Sequence, residues 1–220
     1  MNRETSPPAV QRRVELVAAA AVERSPWKNG RGVTEQIAIW PRGANFADGA
    51  FAARISKAAV VESGAFSSFP GFERLLLVTS GAGLVVSHGA SAPRARLRRL
   101  EPYRFDGAWP TEGELVDGPV RDFNVFTRRG ELRAELEAVP LALRASREPL
   151  DAMHALVHVL AGAATARVTG EETPFVLVAG DSLRIDDARG GDELELVGSA
   201  ADTVALVVRL HRAPAPRGRA

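Results

Sequence analysis

No cysteine occurs among the 220 residues, which excludes disulfides and thiolate-bound metals and suits a reducing cytosol, the expected location. Lysine is nearly absent too: only Lys28 and Lys57 are present, and arginine carries almost all of the positive charge. Because basic and acidic residues alternate and the net charge is only +1, a phosphate-binding stripe, and with it a nucleic-acid partner, is not expected. Arg94, Arg96, Arg98 and Arg99 cluster, but alternation with Ala95 and Leu97 reads as the solvated face of a strand. Long apolar runs are missing. Leu16 to Val22 is mostly alanine and falls far short of the roughly 20 residues a membrane helix needs. Arg12 and Arg13 ahead of that run imitate a secretory signal, but Glu15 interrupts it and a strand fits equally well.

What is present is a succession of short apolar segments bounded by Gly, Pro, Asp or Asn, the pattern of an all-β protein. Strands are expected at Val33 to Ile39, Phe51 to Ser56, Arg74 to Thr79, Leu84 to Ser87, Arg94 to Leu100, Phe123 to Thr127 and Glu131 to Val139. A second series runs Ala155 to Leu160, Thr165 to Val168, Phe175 to Val178, Ser182 to Ile185, Glu193 to Val197 and Thr203 to Leu210. Glu131 to Val139 contains good helix formers, yet its strict apolar/polar alternation favours a strand. So many strands need a barrel or jelly roll to protect their edges. Both series contain a strand, a Gly turn, a returning strand and a later Asp-containing turn, so an eroded duplication is expected. The expected units are flexible ends at 1–11 and 213–220 and two halves at 12–130 and 131–212.

Three stretches make the pattern more specific. They are Trp27-Lys28-Asn29-Gly30-Arg31-Gly32-Val33-Thr34-Glu35; Arg54-Ile55-Ser56 followed by Gly64-Ala65-Phe66-Ser67-Ser68-Phe69-Pro70-Gly71-Phe72-Glu73-Arg74; and Gly118-Pro119-Val120-Arg121-Asp122-Phe123-Asn124-Val125-Phe126-Thr127-Arg128-Arg129-Gly130. In this order they resemble the HutD/Ves family. The resemblance implies a cupin-like double-stranded β-helix, a bicupin of two fused jelly-roll barrels, and an association with bacterial histidine utilisation. Arg31 stands where a further glycine would be commoner, and Phe126 where methionine would be.

Cupins that bind metals bring His and Glu to the barrel mouth, but Gly64 to Gly81 holds no histidine, so neither metal nor cofactor is expected. The four histidines lie elsewhere, at His88, His154, His158 and His211. His154 and His158 share a face on either a helix or a strand but lack an obvious third ligand. Arg54 and Ser56 share one strand face, and Arg74 opens the next apolar strand. Two guanidinium forks near one barrel mouth would bind a carboxylate; structural ion pairs with Glu73, Asp106 or Asp122 are the alternative. The candidate ligand-binding set is Asn29, Thr34, Arg54, Ser56, Ser67, Phe69, Arg74, Asp122 and Asn124. Asn29 and Thr34 could equally be turn and cap residues, and Trp27, Phe66 and Phe69 either core or an aromatic pocket wall.

The expected role is capture of a small carboxylate, such as urocanate or formylglutamate, with a regulatory effect on histidine utilisation. A homodimer stays open, and no membrane partner is expected. No Ser-His-Asp order, cysteine nucleophile or phosphate loop is visible. The enzymatic alternative is a metal-independent isomerase or hydrolase using a barrel carboxylate, Asp122 or Glu35, as acid/base.

Overall fold

A computed structural model describes residues 12–27, 32–143 and 145–214. The expected flexible segments at 1–11 and most of 213–220, together with Asn29, lie outside the described residues. Within them run nineteen strands. The first eleven are β1 Arg13–Val17, β2 Glu23–Pro26, β3 Val33–Trp40, β4 Ala53–Val60, β5 Gly64–Phe66, β6 Phe72–Ser80, β7 Leu84–Ser87, β8 Ala95–Leu97, β9 Tyr103–Asp106, β10 Thr111–Leu115 and β11 Val120–Arg128. They are followed by β12 Leu132–Leu141, β13 Ser146–Pro149, β14 His154–Ala161, β15 Ala163–Val168, β16 Phe175–Val178, β17 Ser182–Asp186, β18 Glu193–Gly198 and β19 Thr203–Arg212. None of the described helices is long and apolar enough to cross a membrane.

The strands form four sheets: β2-β3-β4-β11-β6-β9, β5-β10-β7-β8, β1-β17-β14-β19-β12 and β13-β18-β15-β16. The duplication is visible in this order. Strands β4, β6, β9 and β11 recur as β12, β14, β17 and β19, and β5, β7, β8 and β10 recur as β13, β15, β16 and β18, with identical neighbours. Each repeat is a pair of facing sheets; the hydrogen bonds leave them open where closed barrels were expected. The Gly turn of each repeat survives: Gly81 and Gly162 both take positive φ between the first returning strands. A Cβ on Gly81 would stand 2.6 Å from the Pro119 carbonyl oxygen, so glycine is required there both by conformation and by space.

Most expected strands fall within a few residues of their place. Arg94 to Leu100 shortens to Ala95–Leu97, because Leu100 adopts a φ of 66° and donates its amide to the Val78 carbonyl. The unexpected strands β2, β5, β9, β10 and β13 are short and rich in charge, Gly or Pro, which hides a two-residue period. Strand β1, expected in the first half, pairs instead with β17 and completes the sheet of the second.

The two larger sheets pack back to back. Ile55, Leu75, Leu77, Phe123 and Val125 of one meet Leu156, Leu206, Val208 and Leu210 of the other in one apolar cluster. Because β4, β6 and β11 are then covered on both faces, their side chains on the opposite face must fill or line the interior of the first repeat. Leu77 is fully buried at this junction. Leu77→Ala is expected to lower unfolding stability by about 2–5 kcal/mol, the usual cost of a buried leucine cavity, measured by chemical denaturation.

Candidate functional site

One cavity of about 890 Å³ opens inside the first repeat. Strand periodicity places its lining: Arg54, Ser56 and Ala58 on β4, Arg74 on β6, and Asp122, Asn124 and Phe126 on β11 share the inner face. Phe126 pairs with Arg54 on one side and Arg74 on the other, so the two arginine backbones stand about 10 Å apart across one intervening strand. Thr34, Ser67 and Phe69 also line the cavity. All eight of the described candidate residues are thus brought together; the ninth, Asn29, lies outside the described residues.

Arg54, Arg74, Asp122 and Asn124 are 6, 4, 2 and 7% exposed, so each polar atom needs a partner. Arg74 Nη2 donates to Asn124 Oδ1 (2.9 Å), and Asn124 Nδ2 donates to Asp122 Oδ1 (2.9 Å). The Ala58 amide donates to the same Asp122 oxygen at 3.1 Å. On the other side Arg54 Nε donates to Gln36 Oε1 (2.8 Å), and Gln36 Nε2 donates to Glu23 Oε2 (3.2 Å). Each guanidinium is therefore linked to a carboxylate through a side-chain amide. Among the described residues neither forms a direct ion pair. Glu73 pairs with Arg104 and Asp106 with Arg129, which removes two of the structural partners considered for Arg74. Thr34 does accept a structural bond, from Trp27 Nε1 at 2.9 Å.

Arg74 Nη1 also donates to the Ser67 carbonyl (3.3 Å), and aromatic rings surround both cations. The Arg54 guanidinium lies 3.8 Å from the Phe46 ring centroid, and that of Arg74 lies 4.6 Å from Phe126 and 4.9 Å from Phe105. The ring faces attract the cations. Arg74 Nε is buried with no partner. Burial lowers both guanidinium pKa values to about 10, and both stay charged at neutral pH. Burial raises the Asp122 carboxyl to about 6, against the opposing pull of Asn124, Arg74 and the Ala58 amide.

The second repeat provides an internal control. Through the shared topology and strand register, Arg54, Ser56 and Arg74 correspond to Glu135, Glu137 and Ala155, while Asp122, Asn124 and Phe126 correspond to Ala205, Val207 and Arg209. Its interior is closed by Ala155, Val157, Leu183, Ala205 and Val207 in one apolar cluster. The same strand arrangement therefore packs with apolar residues in place of Arg74, Asp122 and Asn124, and its one inner-face arginine, Arg209, is paired directly with Glu148 and Glu137. What the fold does not require is a candidate for function.

The family model described as HutD matches residues 19–206. The chain belongs to the HutD family. It is 33% identical to Protein Ves of Cronobacter sakazakii over 138 residues, 62% of this chain and 71% of that protein. It is 35% identical to an uncharacterized 21.2 kDa protein in the hutC 3′ region of Pseudomonas putida over 126 residues, 56% of this chain and 63% of that protein. The structure of HutD from Pseudomonas fluorescens SBW25 superposes with a TM-score of 0.74 at 30% identity, covering 92% of this chain and all of the other. A nickel-bound bacterial pirin from Escherichia coli shares the fold alone, with a TM-score of 0.63 at 12% identity over 91% of this chain and all of that one. The fold is thus cupin-like.

In this HutD-family chain the histidines stand apart from the cavity lining. His158 lies on β14 within hydrogen-bonding distance of Ser182 (2.8 Å) and against Phe123. Burial and then the Lys57 charge lower its pKa to about 3. His154, on the same strand face, lies at a separate cleft between the repeats beside Asp186, which accepts from Trp40 (2.6 Å), Arg42 (2.6 Å) and Arg184 (3.0 Å). Burial pushes that carboxyl up, but His154, Arg184 and Trp40 hold it well below the usual range. The cleft reads as an interlock between repeats. Among the described residues no three His, Asp or Glu side chains gather as a metal-binding group.

Gln36, Glu23 and Phe46 were not foreseen. Gln36 shares the face of Thr34 and was accessible by strand alternation, whereas Phe46 sits in a turn-rich loop with no period to read.

Asp122 carries a pH consequence of definite sign. Its folded pKa, about 6, exceeds the ordinary aspartate value of 3.8, so its contribution to stability is full below about pH 4 and is lost as pH rises through 6. His158 works oppositely, losing stability as pH falls below its ordinary value. The difference between wild type and Asp122→Asn isolates the first. Wild-type stability should decline relative to the variant between pH 4 and 7 in denaturant titrations.

Proposed function

We propose that the cavity of the first repeat captures a small carboxylate metabolite, and that this capture serves regulation of histidine utilisation in the cytoplasm. The observation that carries the reading is the pair of buried guanidiniums, each held by an amide and not by a carboxylate of its own. A planar donor fork with no carboxylate directly on it matches a ligand carboxylate. The Phe46, Phe66, Phe69 and Phe126 rings would sandwich a flat or short carbon body. Membership of the HutD family, and the relative from the hutC 3′ region, support intermediates of histidine breakdown, urocanate or formylglutamate, as ligands. The repeats are read as two fused cupin barrels, the first of which holds the ligand space.

A second reading takes Asp122 as an acid/base in a metal-independent isomerisation or hydrolysis. Its raised pKa favours this, because a carboxyl titrating near neutrality can both take and give a proton. Turnover of either metabolite that vanishes in Asp122→Asn while binding persists would decide for it.

Isothermal titration with urocanate and formylglutamate tests the binding reading. At least one should bind, and Arg74→Gln or Arg54→Gln should weaken it by roughly 10- to 150-fold, as a charge-assisted hydrogen bond is worth about 1.5–3 kcal/mol. Gln36→Glu, which would place a carboxylate on Arg54, should weaken it similarly. Equal affinity in all of these proteins would place the ligand elsewhere.

A further inference from the structure

We propose that the cavity takes up its carboxylate together with one proton, and that this proton goes to Asp122. The inference rests on the binding reading above and concerns how that site is regulated.

Asp122 is fully buried and lines the cavity, and both of its hydrogen bonds, from Asn124 and the Ala58 amide, end on Oδ1. Among the described residues no donor reaches Oδ2. The free oxygen of a buried carboxylate is a place to hold a proton, and once protonated it becomes an O–H donor. A ligand carboxylate in the same cavity is the acceptor such a donor fits, and the resulting acid-to-carboxylate bond is of the short, strong kind.

The surrounding charges decide the direction. On β6, Arg74 is connected to Asp122 through Asn124 and is its main cationic support. Arg54 on β4 faces the same cavity, and Glu62 stands at its wall. Lys57 of β4 and Glu35 of β3 pair with each other on the opposite strand face. Arg121, on the same strand as Asp122, is exposed on that other face. Thr34 of β3, Ser56 and Ala58 are neutral, and His88 and Tyr103, which meet Phe105 behind Arg74, are neutral at pH 7 when burial lowers the first and raises the second.

An anion arriving at Arg74 takes over the charge that had stabilised ionised Asp122 and adds a like charge nearby. Both effects favour protonation. The balance is simple: a monoanion such as urocanate brings one negative charge, a proton from solvent adds to Oδ2, and the cavity gains no net charge; the second carboxylate of formylglutamate stays ionised. Burial already raises the Asp122 carboxyl to about 6, so a further rise carries its titration into the physiological range. Affinity should then fall about tenfold per pH unit above the carboxyl's titration point in the complex's absence and below that in its presence.

The test is titration calorimetry with urocanate and formylglutamate at pH 7 in buffers of different ionisation enthalpy, which reads protons taken up per ligand bound. Wild type should take up a proton on binding, on the order of one at most. Asp122→Asn should bind formylglutamate, which has no group of its own titrating near neutrality, with an affinity that no longer varies with pH, and with no uptake. As a check independent of that variant's folding, wild type should gain a protonated-carboxyl C=O stretch in the infrared difference spectrum on ligand addition. Binding without proton uptake and without that band overturns the inference and leaves the binding reading standing. Uptake with formylglutamate that persists in folded Asp122→Asn also overturns it. No binding of either metabolite overturns both.

Discussion

Strands β4, β6 and β11 are covered on both faces, one by the second repeat and the other by the interior of the first. Everything at the site follows from that constraint. A side chain on the inner face cannot turn to bulk water, so a charge there must be held by other protein groups or by something that enters. The protein holds Arg54 and Arg74 with amides and aromatic rings. Amide oxygens satisfy a donor without cancelling its charge, whereas a directly paired carboxylate would have done both. Placing Glu23 and Asp122 one amide away keeps each cation supported, yet available to an anion.

The repeats show how little of this the fold itself demands. Where the first has Arg74, Asp122 and Asn124, the second has Ala155, Ala205 and Val207, which belong to one apolar cluster. Burying charge costs stability unless it is fully paired, so the Arg74, Asp122 and Asn124 set of the first repeat is a cost that the strand arrangement itself does not require. The interlock at Asp186 is different in kind. There Trp40, Arg42 and Arg184 converge on one carboxylate, and its charge is matched within the protein.

Much of this was legible in the sequence, for reasons that differ by residue. Arg54 and Ser56 flank Ile55, and Asp122 and Asn124 flank Phe123, so the two-residue period alone assigns each pair to one face. Arg74 before a run of Leu and Val marks a cation entering a buried strand. The family resemblance rests on those same stretches and is shown by the match to HutD. Three things were not legible. Short strands such as Thr111–Leu115 carry too little apolar signal; β1 crosses to the other repeat, which is a matter of tertiary pairing; and the amide relays depend on side-chain geometry that a one-dimensional pattern does not contain. Gln36 was within reach by parity with Thr34, but the bulge after it breaks the alternation of β3.

The most direct test of a carboxylate site between the two arginines is a crystal structure of the protein soaked with urocanate or formylglutamate. A ligand carboxylate within hydrogen-bonding distance of Arg54 or Arg74, with its body against Phe126, is the result expected. A well-occupied ligand bound only at the Arg184 cleft, or a cavity that stays free of ligand at concentrations where calorimetry shows saturation, would contradict it.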